Sequence, residues 1–243
     1  MLYHPTDPSD PPRPPKPSPA ERPRTGDADF LAKLDAEPAP TRQRIRVQNL
    51  ILFVVVACIL AEIFRWWGGV RPQGRPLSLV VETAIGAACI AAVATWTLAG
   101  RGRSMTGRTT TFLGIAGFAT PLALFVWKIF WSAQFQGMMG VGPMGPDGLP
   151  RFGWKCLRLS LALGVFPLLA MALVRRNSDP NHPRLTGATL GVAAGACAWV
   201  FTDLWCPVGN VSHLLVGHLL PITLLAALGA ALGHLLIGVR APR

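Results

Sequence analysis

Charge is what this 243-residue sequence has least of. Asp, Glu, Lys and Arg make up 14% of it, where a soluble domain carries about 25%. Acids are the scarcer kind, 12 against 23 bases, and the shortage is uneven. Residues 1–48 hold eight Lys/Arg and seven Asp/Glu, which leaves fifteen and five for the rest. The five cysteines, Cys58, Cys89, Cys156, Cys197 and Cys206, include no CxxC. Zinc-finger spacing and thioredoxin-like chemistry are therefore unsupported. No secretory signal is expected in the first 25 residues, which contain nine prolines and no apolar run. The net charge of +11 comes with no basic stripe or aromatic-rich motif, so no direct nucleic-acid binding is expected. Its bases sit singly or in small groups between apolar runs, as in the loops of membrane proteins.

Apolar length is what the chain has in abundance. A spanning helix needs about 20 apolar residues, and six runs qualify: Asn49–Trp67, Ser78–Ala99, Phe112–Ser132, Cys156–Val174, Thr186–Cys206 and Leu214–Val239. The expected fold is all-α, a polytopic membrane bundle of six transmembrane helices over residues 49–239, preceded by a tail over residues 1–48. Small residues inside the runs, such as Gly86, Ala87 and Ala88 or Gly191, Ala193, Ala194 and Gly195, let helix backbones approach closely. The tail side of the membrane collects eleven Lys/Arg, among them Arg42, Arg44, Arg46, Arg101, Arg103, Arg175, Arg176 and Arg240. The other side has Arg71, Arg75, Arg151 and Lys155, or six with the helix-end residues Arg65 and Arg158. The positive-inside rule then puts both termini in the cytoplasm.

Within the tail, Met1–Thr25 is Pro-rich and expected to be disordered or partly polyproline. Residues 27–37 read as a short helix with Phe30, Leu31 and Leu34 on one face, ended by Pro38 and Pro40. About ten residues make a marginal helix in water, so this segment is expected to fold against a partner.

Ionisable residues mark one end of the bundle. Glu62, Glu82, Lys128, Arg158, Asp203 and His218 fall near the outer end of their helices, one on each. Polar groups in a membrane normally face the bundle and pair, so the six are expected to form an outward-facing polar cluster, or else to pair locally and snorkel. Cys58, Cys89 and Cys197 fall mid-helix, where a thiol packs as a small apolar group. Cys156 opens the fourth run and Cys206 closes the fifth, which puts both at the outer face. Two thiols at one level can form a disulfide, or bind a soft metal with His213 or Asp203 nearby. The outer loop carries Met138, Met139 and Met144, which are soft and oxidisable.

The second half of the chain resembles the NrsF family of bacterial anti-sigma factors. The resemblance is carried by Cys156, by the run from Phe166 to Arg176, by Pro183 to Ala188, by Gly191 to Ala196, by Asp203-Leu204-Trp205-Cys206-Pro207, and by the last helix with His218. It implies a six-helix inner-membrane regulator with no enzyme activity and no cofactor. In such a regulator a cytoplasmic N-terminal segment holds an extracytoplasmic-function sigma factor inactive. The resemblance also implies that two periplasmic-side cysteines, matching Cys156 and Cys206, sense oxidising or heavy-metal stress and trigger release. Two rivals stand beside it. A small transporter or channel could use the polar ring as its mouth, but no broken helix or internal repeat supports this. A membrane thiol oxidoreductase would need paired, activated thiols.

Overall fold

A computed structural model describes residues 42–70, 76–99, 108–135, 153–176 and 181–238. The chain divides into two units, Met1–Arg46 and Val47–Arg243, and the second holds the six spanning stretches. The expected tail helix with Phe30, Leu31 and Leu34 lies outside the described residues. So do Met138, Met139 and Met144 and the loop residues Arg71, Arg75, Arg101, Arg103, Arg151 and Arg240.

Lipid offers no hydrogen bonds, so a spanning backbone must satisfy its own, and an open chain does this as a helix. Among the described residues six helices are long and apolar enough to cross a membrane, and there is no strand. They are α1 (Arg42–Trp66), α2 (Leu77–Ala94, continued by a π-helical turn Thr95–Ala99), α3 (Thr110–Phe135), α4 (Trp154–Val174), α5 (Pro183–Trp205) and α6 (Val211–Ile237). This is the all-α bundle expected of a multi-pass membrane protein. Pro121 and Pro167 lie inside α3 and α4, which membrane helices tolerate. Large apolar side chains such as Leu50, Ile115, Phe118 and Trp96 are exposed on the bundle's flanks, a surface suited to hydrocarbon and not to water.

Helix ends differ from the expected ones by a few residues. α1 begins at Arg42, seven residues before the apolar run, because nothing after Pro40 breaks a helix. α6 begins at Val211, since Asn210 caps it: Oδ1 accepts the Ser212 N–H at 3.2 Å. α6 also contains two π-helical turns, Leu215–Leu219 and Gly233–Ile237.

α5 is the central helix and touches α2, α3, α4 and α6. Its small residues make this possible. A Cβ on Gly187 would strike the Gly229 carbonyl, and one on Gly191 the Leu225 carbonyl, both on α6. The α5–α6 seam is thus backbone against backbone, as small residues four apart allow. At α2–α3, the ring of Trp127 fills the space over Gly86, and its Nε1 donates to the Thr83 carbonyl at 3.2 Å. α1 packs more lightly, through Val56 and Leu60 beside Leu159 and Leu163, and through Phe64 edge-on to Phe201 at 5.5 Å.

Candidate thiol and histidine site

Three helix ends converge where α4 begins, α5 ends and α6 begins. At Gly153, just ahead of α4, a Cβ would meet the Gly217 backbone at 2.5 Å and the His213 carbonyl at 2.7 Å. The absence of side chains at Gly153 and Gly217 lets α4 start directly on the first turns of α6. Cys156 is therefore carried under α6. Cys206 leaves α5 in extended backbone, its N–H still donating to the Thr202 carbonyl at 2.7 Å. The turn through Pro207 then reverses the chain into α6.

This geometry brings Cys156 and Cys206 to one imidazole. His213 Nε2 lies 3.3 Å from Cys156 Sγ and 3.1 Å from Cys206 Sγ. All three side chains are buried, as is His218. One ligand atom each from Cys156, Cys206, His213 and His218 lies within 4.8 Å of all the others. These four side chains can hold a metal ion. The two thiols are free, and are close enough to be the two halves of one redox or metal site.

A charged layer supports the site. Lys128 Nζ on α3 pairs with Asp203 Oδ1 on α5 at 2.8 Å, with 4% and 0% of the two side chains exposed. Trp199 Nε1 donates to Asp203 Oδ2 at 3.1 Å. Lys128 Nζ also donates to the Cys206 carbonyl at 3.5 Å, tying the ion pair to the thiol's own backbone. His218 Nδ1 stands 3.9 Å from Asp203 Oδ1, and its ring meets Trp199 edge-on at 4.9 Å. Ser160 Oγ and Thr202 Oγ1 are 2.9 Å apart, joining α4 to α5 beside the thiols. Buried charges need such pairing, since an isolated one would be very costly.

The expected ring of six is gathered only in part. Lys128, Asp203 and His218 come together, whereas Glu62, Glu82 and Arg158 are exposed. Glu62 accepts from Arg65 on its own helix at 2.8 Å, with both side chains mostly exposed. The reason is rotational. Arg158 follows the inward-facing Cys156 by two residues, about 200° around an α-helix, which turns it outward. Glu82 sits beside the inward-facing Thr83 and Ala84 on α2. Of the other cysteines, Cys58 and Cys89 are exposed, and Cys197 Sγ contacts Thr95 Oγ1 at 3.6 Å.

In the sequence His213 stands out only as a neighbour of the thiols, and Trp199, Ser160 and Thr202 do not stand out. A signal for His213 existed in its place seven residues after Cys206, across a turn too short to carry it far away. Trp199 had one too, since it precedes Asp203 by four residues, one helical turn.

The family described as NrsF, negative regulator of sigma F, matches residues 31–238. A probable anti-sigma-F factor NrsF from Azospira oryzae (strain ATCC BAA-33 / DSM 13638 / PS) is 35% identical over 108 residues, 43% of this chain and 50% of that protein. The chain thus spans about half the length of the curated relative it matches. No solved structure matches it. The match covers all six helices and the thiol and histidine site between them, and the chain belongs to the NrsF family of negative regulators of sigma F.

Proposed function

We propose that this chain is a membrane-bound anti-sigma factor. It holds an extracytoplasmic-function sigma factor through its N-terminal segment and releases it when Cys156 and Cys206 are oxidised or capture a metal. The observation that carries this reading is the pair of buried thiols, from two different helices, on one imidazole. Family membership supports the anti-sigma role. The Lys/Arg asymmetry supports cytoplasmic termini, with the thiols toward the periplasm of a bacterial inner membrane.

The resting protein offers the apolar face of Phe30, Leu31 and Leu34 to a groove on the sigma factor. In the oxidative branch the two thiols give two electrons to a periplasmic oxidant and two protons to solvent, and one S–S bond forms. A complete population switch takes about 5.5 kcal/mol of bias, and one disulfide supplies about 2–4 kcal/mol. The bond alone therefore shifts the balance part of the way, and a partial shift is enough to lower the tail's affinity for the sigma factor.

The test is a sigma-dependent reporter in cells treated with an oxidant or a soft metal. Wild type should be induced, and Cys156→Ser with Cys206→Ser should stay silent at unchanged protein level. Full induction of the double variant would remove the thiols from the mechanism. Capture of the sigma factor by full-length protein in detergent, lost with Phe30→Ala/Leu34→Ala, tests the tail contact.

A further inference from the structure

His218 is a buried imidazole poorly served by its neighbours. Its side chain is fully buried, and neither ring nitrogen makes a well-formed hydrogen bond among the described residues. Such a group is costly to keep in a membrane interior. It nevertheless lies among two thiols and a second imidazole, with ligand atoms of all four residues within 4.8 Å. The backbone is arranged to put it there. Residues five apart on an α-helix point about 140° away from each other. Between His213 and His218 the helix widens into the π turn Leu215–Leu219, where the Leu220 N–H bonds to the Leu215 carbonyl. The i→i+5 pattern brings residues five apart onto one face, and such turns recur at functional sites.

We infer that Cys156, Cys206, His213 and His218 together form a four-coordinate site for one d10 divalent cation of the zinc and cadmium class. This rests on the sensor reading above and names the ligand of its metal branch. Three features select this class. Two thiolates favour a soft or borderline metal over magnesium or calcium. Two sulfurs and two nitrogens, at about 2.3 and 2.0–2.1 Å from a central ion, are the donors of a closed tetrahedral zinc site. The sulfur-to-nitrogen distances of 3.1 and 3.3 Å already approach the edges of that tetrahedron. Charge also balances. Binding releases two protons from the thiols, and two thiolates with two neutral imidazoles leave a dication site with no net charge, as burial requires. Asp203 Oδ1, 3.9 Å from His218 Nδ1, then stands as the carboxylate behind a ligating imidazole and is a positioning residue. A bound ion occupies both thiols, so cation binding and S–S bond formation exclude one another.

Cobalt(II) is the probe. Full-length protein, reduced and stripped with chelator in detergent, is titrated with cobalt(II) and then with zinc(II) or cadmium(II). One equivalent should produce the d–d bands of tetrahedral cobalt with thiolate charge transfer, and zinc should abolish them. X-ray absorption of the wild-type zinc form should count two sulfurs and two nitrogens, a readout that needs no variant. His218→Ala should bleach the tetrahedral bands, His218→Cys should restore them with stronger charge transfer, and Asp203→Asn should weaken binding by about 10–100-fold. A shell without two nitrogens, or cobalt spectra indifferent to His218→Ala, overturns the inference. That result leaves the sensor reading standing through its oxidative branch. An intact S2N2 site in a protein whose double serine variant is still induced in cells sinks the sensor reading and keeps the metal site.

Discussion

Helices α1 and α5 are nearly equal in length, 25 and 23 residues, and they occupy opposite situations. The spanning stretch of α1 is the more apolar, yet few of its residues are buried, whereas most of those in α5 are. In water the more apolar helix would be the one inside. In a bilayer lipid is as apolar as leucine, so hydropathy marks the face left to lipid. The interior goes to small residues that pack backbones and to polar residues that find partners. α5 has both: Gly187 and Gly191 on the α6 seam, and Thr202 and Asp203 on the site. α1 carries its acid, Glu62, outward, paired with Arg65 on its own surface.

This contrast can be broken most forcefully at the charges. Lys128→Met leaves Asp203 buried without its cation and should cost about 3–5 kcal/mol, read as a fall in thermal stability of the detergent-solubilised protein. Adding Asp203→Leu should recover most of the loss, because well-packed apolar groups often replace a buried pair at little cost. Arg65→Ala, which breaks the exposed pair on α1, should leave the melting temperature where it was. A large loss there would mean that α1 is packed more tightly than its exposure implies.

The glycines sharpen the same comparison at smaller scale. Gly191→Ala puts a methyl group against the Leu225 carbonyl and should cost about 1–3 kcal/mol by overpacking. Gly114→Ala on α3, where a Cβ meets nothing within 4 Å, should be neutral or stabilising by up to about 1 kcal/mol. Equal behaviour of the two in an unfolding titration would remove the backbone seam as the reason α5 is central. Smaller still, Ser160→Ala removes two interhelical hydrogen bonds, to Thr202 at 2.9 Å and to the Gly217 carbonyl at 3.5 Å, each worth about 0.6 kcal/mol in membrane proteins. At the bottom of the scale, Cys58→Ser on exposed α1 should change neither stability nor induction of the reporter. A loss of induction would show that thiols outside the site take part.

Much of the fold was legible because lipid makes a one-dimensional demand. Each span needs enough consecutive apolar residues, and that can be counted from Asn49 to Val239 without knowing what packs on what. Half of the site was legible too. Cys156 and Cys206 sit at span ends on one side, and topology alone places them at one level. The place of each polar residue along its helix is legible in the sequence, and the direction it faces is not. Depth follows from distance along the helix, whereas facing depends on helix rotation, and Arg158 and Glu82 miss the interior by a residue or two.

The sequence by itself determined that this chain is a six-helix membrane bundle, and that two of its five thiols lie at one end. The tertiary structure decided which polar side chains meet. Gly153 and Gly217 let α4 and α6 touch by their backbones, and a π turn rotates His218 onto the face of His213. The first is a contact between two helices and the second a change of hydrogen-bond register inside α6, and the apolar pattern of the sequence expresses neither.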